Sequence, residues 1–111
     1  MERLAHQTIE RMTKAIVEAV GPERVILFGS HARGDSRPGS DVDLLVVESE
    51  PFSATRSRRK EMARVLRALS AFTVPIDVLV YSRAEFDKWK TTTGHIVARA
   101  VREGDVLYEH A

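Results

Sequence analysis

Residues 25–47, VILFGSHARGDSRPGSDVDLLVV, constrain this 111-residue chain more than any other stretch. Residues 24–28 are a short apolar run with β-branched members, ended by Gly29, and this pattern predicts a buried strand. Residues 30–39 are polar and rich in Gly, Ser and Pro, which predicts a short helical turn followed by a mobile loop. Residues 41–47 predict a second strand, polar at its start and apolar beyond.

The remaining pattern supplies helices and at least one more strand. In residues 2–20, Leu4, Ile9, Met12, Ile16, Val17 and Val20 recur at helical spacing, and Gly21-Pro22 stops the run. Residues 53–71 predict a second long helix. Met62, Val65, Leu66 and Leu69 form its apolar stripe, and the arginines of residues 56–67 cover a solvated remainder. Thr73-Val74-Pro75 breaks it, and residues 76–81 predict a third strand, with Pro75 at its first residue or on an edge. Ser82 and Glu85 have capping-box spacing for a turn over residues 82–89. Residues 93–103 predict a last helix with Ile96, Val97, Ala100 and Val101 inward and Gly104 as C-cap. Residues 106–108 add a short terminal strand. The expected fold is α/β (α+β): one domain over residues 1–111, with a small mixed sheet of three to four strands flanked by helices.

Two features of residues 25–47 carry chemistry. Gly29 and Ser30 follow a strand and open a helical turn. A glycine there lets backbone approach a ligand closely, and the following N–H groups and the Ser30 hydroxyl are free to hold phosphate oxygens. Asp41 and Asp43 start the next strand, where residues i and i+2 share a face. Paired carboxylates repel and raise each other's pKa unless a cation lies between them. No salt-bridge partner is evident, because Leu45, next on that face, is apolar. A hard divalent cation, Mg²⁺ or Mn²⁺, resolves the repulsion. Such a site needs a third carboxylate. Asp77, flanked by apolar residues in the third strand, is the candidate if that strand neighbours the second.

Taken together, Gly29-Ser30-x-Ala32-Arg33-Gly34 … Ser40-Asp41-x-Asp43-Leu44, the later Asp77 and the closing residues 102–108 resemble the DNA-polymerase-β-like nucleotidyltransferases. More narrowly, they resemble the minimal nucleotidyltransferase (MNT) family. The resemblance implies transfer of AMP from ATP with release of pyrophosphate. It implies two Mg²⁺ ions (or Mn²⁺) held by Asp41 and Asp43, and Asp77 holding the catalytic metal while helping the acceptor hydroxyl lose its proton. It implies Gly29 and Ser30 on the triphosphate, with Arg33 either neutralising phosphate or making a surface ion pair. Family members commonly act as antitoxins to a HEPN toxin, by binding it and by adding AMP to one of its tyrosines. Larger members carry a second, acceptor-holding domain. This chain has no room for one, so a partner protein is expected to supply the acceptor. Two other readings stay open: a non-catalytic antitoxin that neutralises by binding, and a nucleotidyltransferase acting on a small molecule or RNA.

Composition narrows the partners. Seventeen Lys+Arg against sixteen Asp+Glu give a net charge of +1, which disfavours a nucleic-acid wrapper. The absence of Cys excludes thiolate nucleophiles and Cys-bound zinc. The charged N-terminus and the lack of a long apolar run predict a cytoplasmic protein with no membrane partner. Self-association is left open. The four histidines are scattered without metal-site spacing, and His31 is expected to face solvent.

Overall fold

The computed structural model describes residues 6–110 except Pro38. The element order is α1 (His6–Val20), β1 (Arg24–Phe28), α2 (Ser30–Arg33), β2 (Val42–Glu48), α3 (Arg58–Ala68), β3 (Ile76–Ser82), α4 (Arg83–Trp89), α5 (Ile96–Glu103) and β4 (Asp105–Glu109). The sheet order is β3-β2-β1-β4. β1 runs antiparallel to both β2 and β4, and β2 runs parallel to β3, so the sheet is mixed as expected. The first five residues, with Leu4 of the predicted helix, lie outside the described residues.

Strand periodicity divides the core in two. Val25, Leu27, Val42, Leu44, Val46, Val78 and Val80 face α1 and α3, where Met12, Ile16, Val65 and Leu69 meet them. Ile26, Phe28, Leu45 and Val47 face Phe86 of α4 and Val97 and Ala100 of α5. β2 is covered on both faces, which is why its sequence reads as one apolar run rather than an alternation. The parity also sets the site. Asp43 shares its face with Leu45, and Asp77 shares its face with Leu79, so both acids belong to the α4–α5 side.

Three helix expectations need correction. α3 begins at Arg58, not 53, because residues 53–56 close a tight turn and Ser57 accepts from the Lys60 N–H as N-cap. Leu66 of the predicted stripe is 43% exposed, so Val65 and Leu69 carry the α3 packing. The face of α5 is rotated: Val97, Ala98 and Ala100 are buried, while Ile96 and Val101 are exposed. The small residues permit a close crossing over β1. A Cβ on Gly104 would overlap the Ala100 carbonyl and lie 2.7 Å from the Leu27 carbonyl and from Ile26. Two of those neighbours are backbone and cannot swing away. Gly104→Ala is therefore expected to cost about 1–3 kcal/mol and lower Tm by several degrees in a thermal melt.

Arg59, Lys60 and Arg67 are exposed as expected, whereas Arg56, Arg58 and Arg64 are held by partners that come mainly from other elements. Arg58 donates to the Val80 carbonyl on edge strand β3 and forms an ion pair with Glu85, which itself completes the Ser82 capping box. Arg56 donates to Glu48, and Arg64 bridges Glu61 and the Ala19 carbonyl. Glu48 is only 3% exposed, and its Oε2 has no donor. Burial first, and then the neighbouring Glu61 carboxyl, push it from 4.5 to about 7, against the pull of Arg56. Burial also works upward on Glu61, but the bonds from Glu48 and Arg64 outweigh it and hold Glu61 low. A carboxyl raised in the fold contributes stability below its unfolded value and loses it as pH rises to the folded one. Wild-type Tm is expected to fall between pH 4.5 and 7. Glu48→Gln should flatten that slope in melts across the range.

Candidate functional site

The site lies where β1 ends and β2 and β3 begin. Gly29 is the hinge between β1 and α2. Its φ of 76° and ψ of −157° form a conformation essentially confined to glycine. A Cβ there would occupy the space of the Asp43 carboxylate. The missing side chain is thus what admits Asp43 to this corner. α2 then turns once, with the Gly34 N–H closing on the Ser30 carbonyl at 3.0 Å.

The parallel register pairs Asp43 with Asp77 directly. Asp41 stands just before β2, close enough to Asp77 to raise its carboxyl. The strand adjacency on which the third carboxylate depended is therefore present. The electrostatics show the crowding. The Asp43 carboxyl is pushed above its ordinary 3.8 by burial first, then by the charges of Asp77 and Asp41, with His31 and Arg33 pulling the other way. Asp77 is also raised, by partial desolvation and then by Asp41 through a hydrogen bond and its charge.

A cleft of about 320 Å³ opens beside the acids, lined by Phe28, Gly29, Ser30, Arg33, Asp43, Ile96 and Arg99. Gly29, Ser30, Arg33 and Asp43, all singled out from sequence, meet there. Asp41 and Asp77 sit next to it and do not line it. Arg33 also makes the surface ion pair, with Asp35 at 3.2 Å and Glu103 at 3.6 Å. Ile96 and Arg99 were not foreseen; both come from α5, whose exposed face depends on its packing over β1. His31 is half-buried instead of solvent-facing, and its Nε2 lies 3.2 Å from the Ser40 carbonyl. In the loop after α2, Ser36 is buried and a turn closes between Arg37 and Ser40.

Among the described residues, no three acidic or histidine side chains form a ready-made metal cage. The donor chemistry of Asp41, Asp43 and Asp77 nevertheless fits a hard divalent cation. All donors are carboxylate oxygens, and the charge of Asp41 raises both Asp43 and Asp77 as a nearby cation would reverse. Elsewhere, no helix among the described residues is long and apolar enough to cross a membrane.

Comparison with known proteins agrees with this geometry. "Putative protein adenylyltransferase MJ0604" of Methanocaldococcus jannaschii is 33% identical over 86 residues, 78% of each chain. "Putative protein adenylyltransferase MJ0141" of the same organism is 38% identical over 58 residues, which cover 52% of this chain and only 54% of that protein. The chain thus spans about half the length of this second relative. Among solved structures, a "putative nucleotidyltransferase from Sulfolobus solfataricus" superposes with a TM-score of 0.63 at 21% identity, covering 94% of this chain and 79% of that one. A toxin–antitoxin complex with AMP-PNP gives 0.61 at 17% identity, covering 90% and 72%. A tri-AMPylated Shewanella oneidensis HEPN toxin in complex with MNT antitoxin gives 0.56 at 15%, covering 94% and 73%. At these identities the structures support the fold. The nucleotidyltransferase domain model itself matches residues 9–104, and the chain belongs to that family.

Proposed function

We propose that residues 1–111 form a single-domain adenylyltransferase of the cytoplasm that moves AMP from ATP to a tyrosine hydroxyl of a HEPN toxin and so acts as its antitoxin. The observation that carries this reading is the convergence of Gly29, Ser30 and Asp43 on one cleft, with Asp77 in register beside Asp43. The AMPylated HEPN toxin named in one structural neighbour suggests the acceptor class.

In the reaction, the acceptor oxygen forms a bond to the α-phosphorus, the bond from that phosphorus to the pyrophosphate oxygen breaks, and pyrophosphate leaves. Mg²⁺ or Mn²⁺ held by Asp41, Asp43 and Asp77 supplies charge neutralisation at the reacting phosphate. Asp77 accepts the hydroxyl proton, from its place in register beside Asp43. Gly29 leaves room for the phosphates beside Asp43. The Ser30 hydroxyl and the Arg33 guanidinium hold their oxygens.

The test uses ATP labelled at the α- or the γ-phosphate, Mg²⁺ and a HEPN protein as candidate partner. Label from the α position on the partner and none from the γ position is the expected result. Label from the γ position would replace nucleotidyl transfer with phosphoryl transfer.

A further inference from the structure

The cleft beside the acids carries both signs of charge. Asp43 lines it together with Arg33 of α2 and Arg99 of α5. The two arginines come from elements far apart in sequence, yet one carboxylate holds both. Glu103 Oε1 lies 3.5 Å from Arg99 Nε and 3.6 Å from Arg33 Nη1. Arg33 has a further hold on Asp35. The Arg99 side chain is 58% exposed, and among the described residues its ion pair is the long one to Glu103. Pairs of that length and exposure are weak and exchange readily for a better anion. The guanidinium fork matches phosphate oxygens in pairs, so a polyphosphate is such an anion.

We propose that Arg99 is a second phosphate-binding residue, which together with Arg33 grips the β- and γ-phosphates of the nucleotide after both let go of Glu103. The inference rests on the adenylyltransferase reading above. If the α-phosphate reacts beside the acids, the phosphates that leave as pyrophosphate must extend away from them. Gly29, Ser30 and these two cations line the same cleft. Glu103 then serves as a placeholder that keeps the arginines aimed at the cleft before nucleotide arrives. Arg99 thereby favours triphosphate over monophosphate and contributes nothing to adenosine.

Equilibrium binding tests this without turnover. The probes are an ATP analogue with a methylene bridge between the α- and β-phosphates, and AMP, each titrated with Mg²⁺ into the full chain. Arg99→Ala is expected to weaken the analogue by about 10-fold or more, as loss of a charged hydrogen-bonding partner does. It should leave AMP affinity and Tm unchanged. Arg99→Lys should restore part of the loss, and Glu103→Gln should bind the analogue at least as tightly as wild type. Analogue binding by Arg99→Ala within twofold of wild type, or an equal loss for analogue and AMP, overturns the proposal while leaving the adenylyltransferase reading intact. Wild type that binds no analogue overturns both.

Discussion

Asp43→Asn is expected to abolish AMP transfer, by about 10³-fold or more, while the protein stays folded. The loss follows from removing one anionic oxygen donor from the centre of the charge arrangement that stabilises the reacting phosphate. The fold survives because Asn keeps the shape of Asp in the corner that Gly29 leaves open. Stability should even improve at neutral pH. Burial, with the charges of Asp77 and Asp41 next, raises the Asp43 carboxyl in the folded state. Its contribution is therefore present at low pH and declines as pH rises above the ordinary value of 3.8. The Asn variant has no such decline. Initial rates of label transfer and melts at pH 5 and pH 8 check both halves. Transfer at the wild-type rate would remove Asp43 from the mechanism.

Gly29→Ala is expected to fail twice, in stability and in activity. The backbone at Gly29 is held at φ 76° and ψ −157°, and a non-glycine residue there costs about 1–3 kcal/mol. That corresponds to a Tm loss on the order of 5–15 °C in a domain of this size. The added methyl also occupies the position of the Asp43 carboxylate, so one of the two must move. Transfer should drop to the level of Asp43→Asn even at temperatures where the variant is fully folded. Gly21→Ala is the control. Gly21 also has positive φ, but a Cβ there meets nothing within 4 Å. That variant should lose a little stability and keep its transfer rate. Equal activity loss in both variants would assign the effect to general destabilisation.

Much of the arrangement was legible in sequence because it is local. The β1–Gly29–α2 junction, the Asp41/Asp43 spacing and the Ser82–Glu85 capping box each lie within a few residues, and the structure shows them in those places. Asp77 was readable one step further out. A lone acid in an apolar strand stands out, and the parallel register brings it beside Asp43, exposed rather than buried. What escaped depends on tertiary contact. The inward face of α5 follows from how closely Ala100 and Gly104 approach β1, which periodicity does not reveal. Rotation of that face moved Ile96 out of the expected core and brought Arg99 to the cleft. Arg56, Arg58 and Arg64 looked solvated because their partners, Glu48, Glu85 and the Ala19 and Val80 carbonyls, come from other elements.

The most direct test of the central claim is the intact mass of the HEPN partner after incubation with this protein, ATP and Mg²⁺, followed by peptide mapping. A mass gain of one or more adenylyl groups is expected, located on tyrosine and absent when Asp41→Asn replaces the wild type. A partner that forms a stable complex with this protein yet keeps its unmodified mass would contradict the claim, and would leave neutralisation by binding alone.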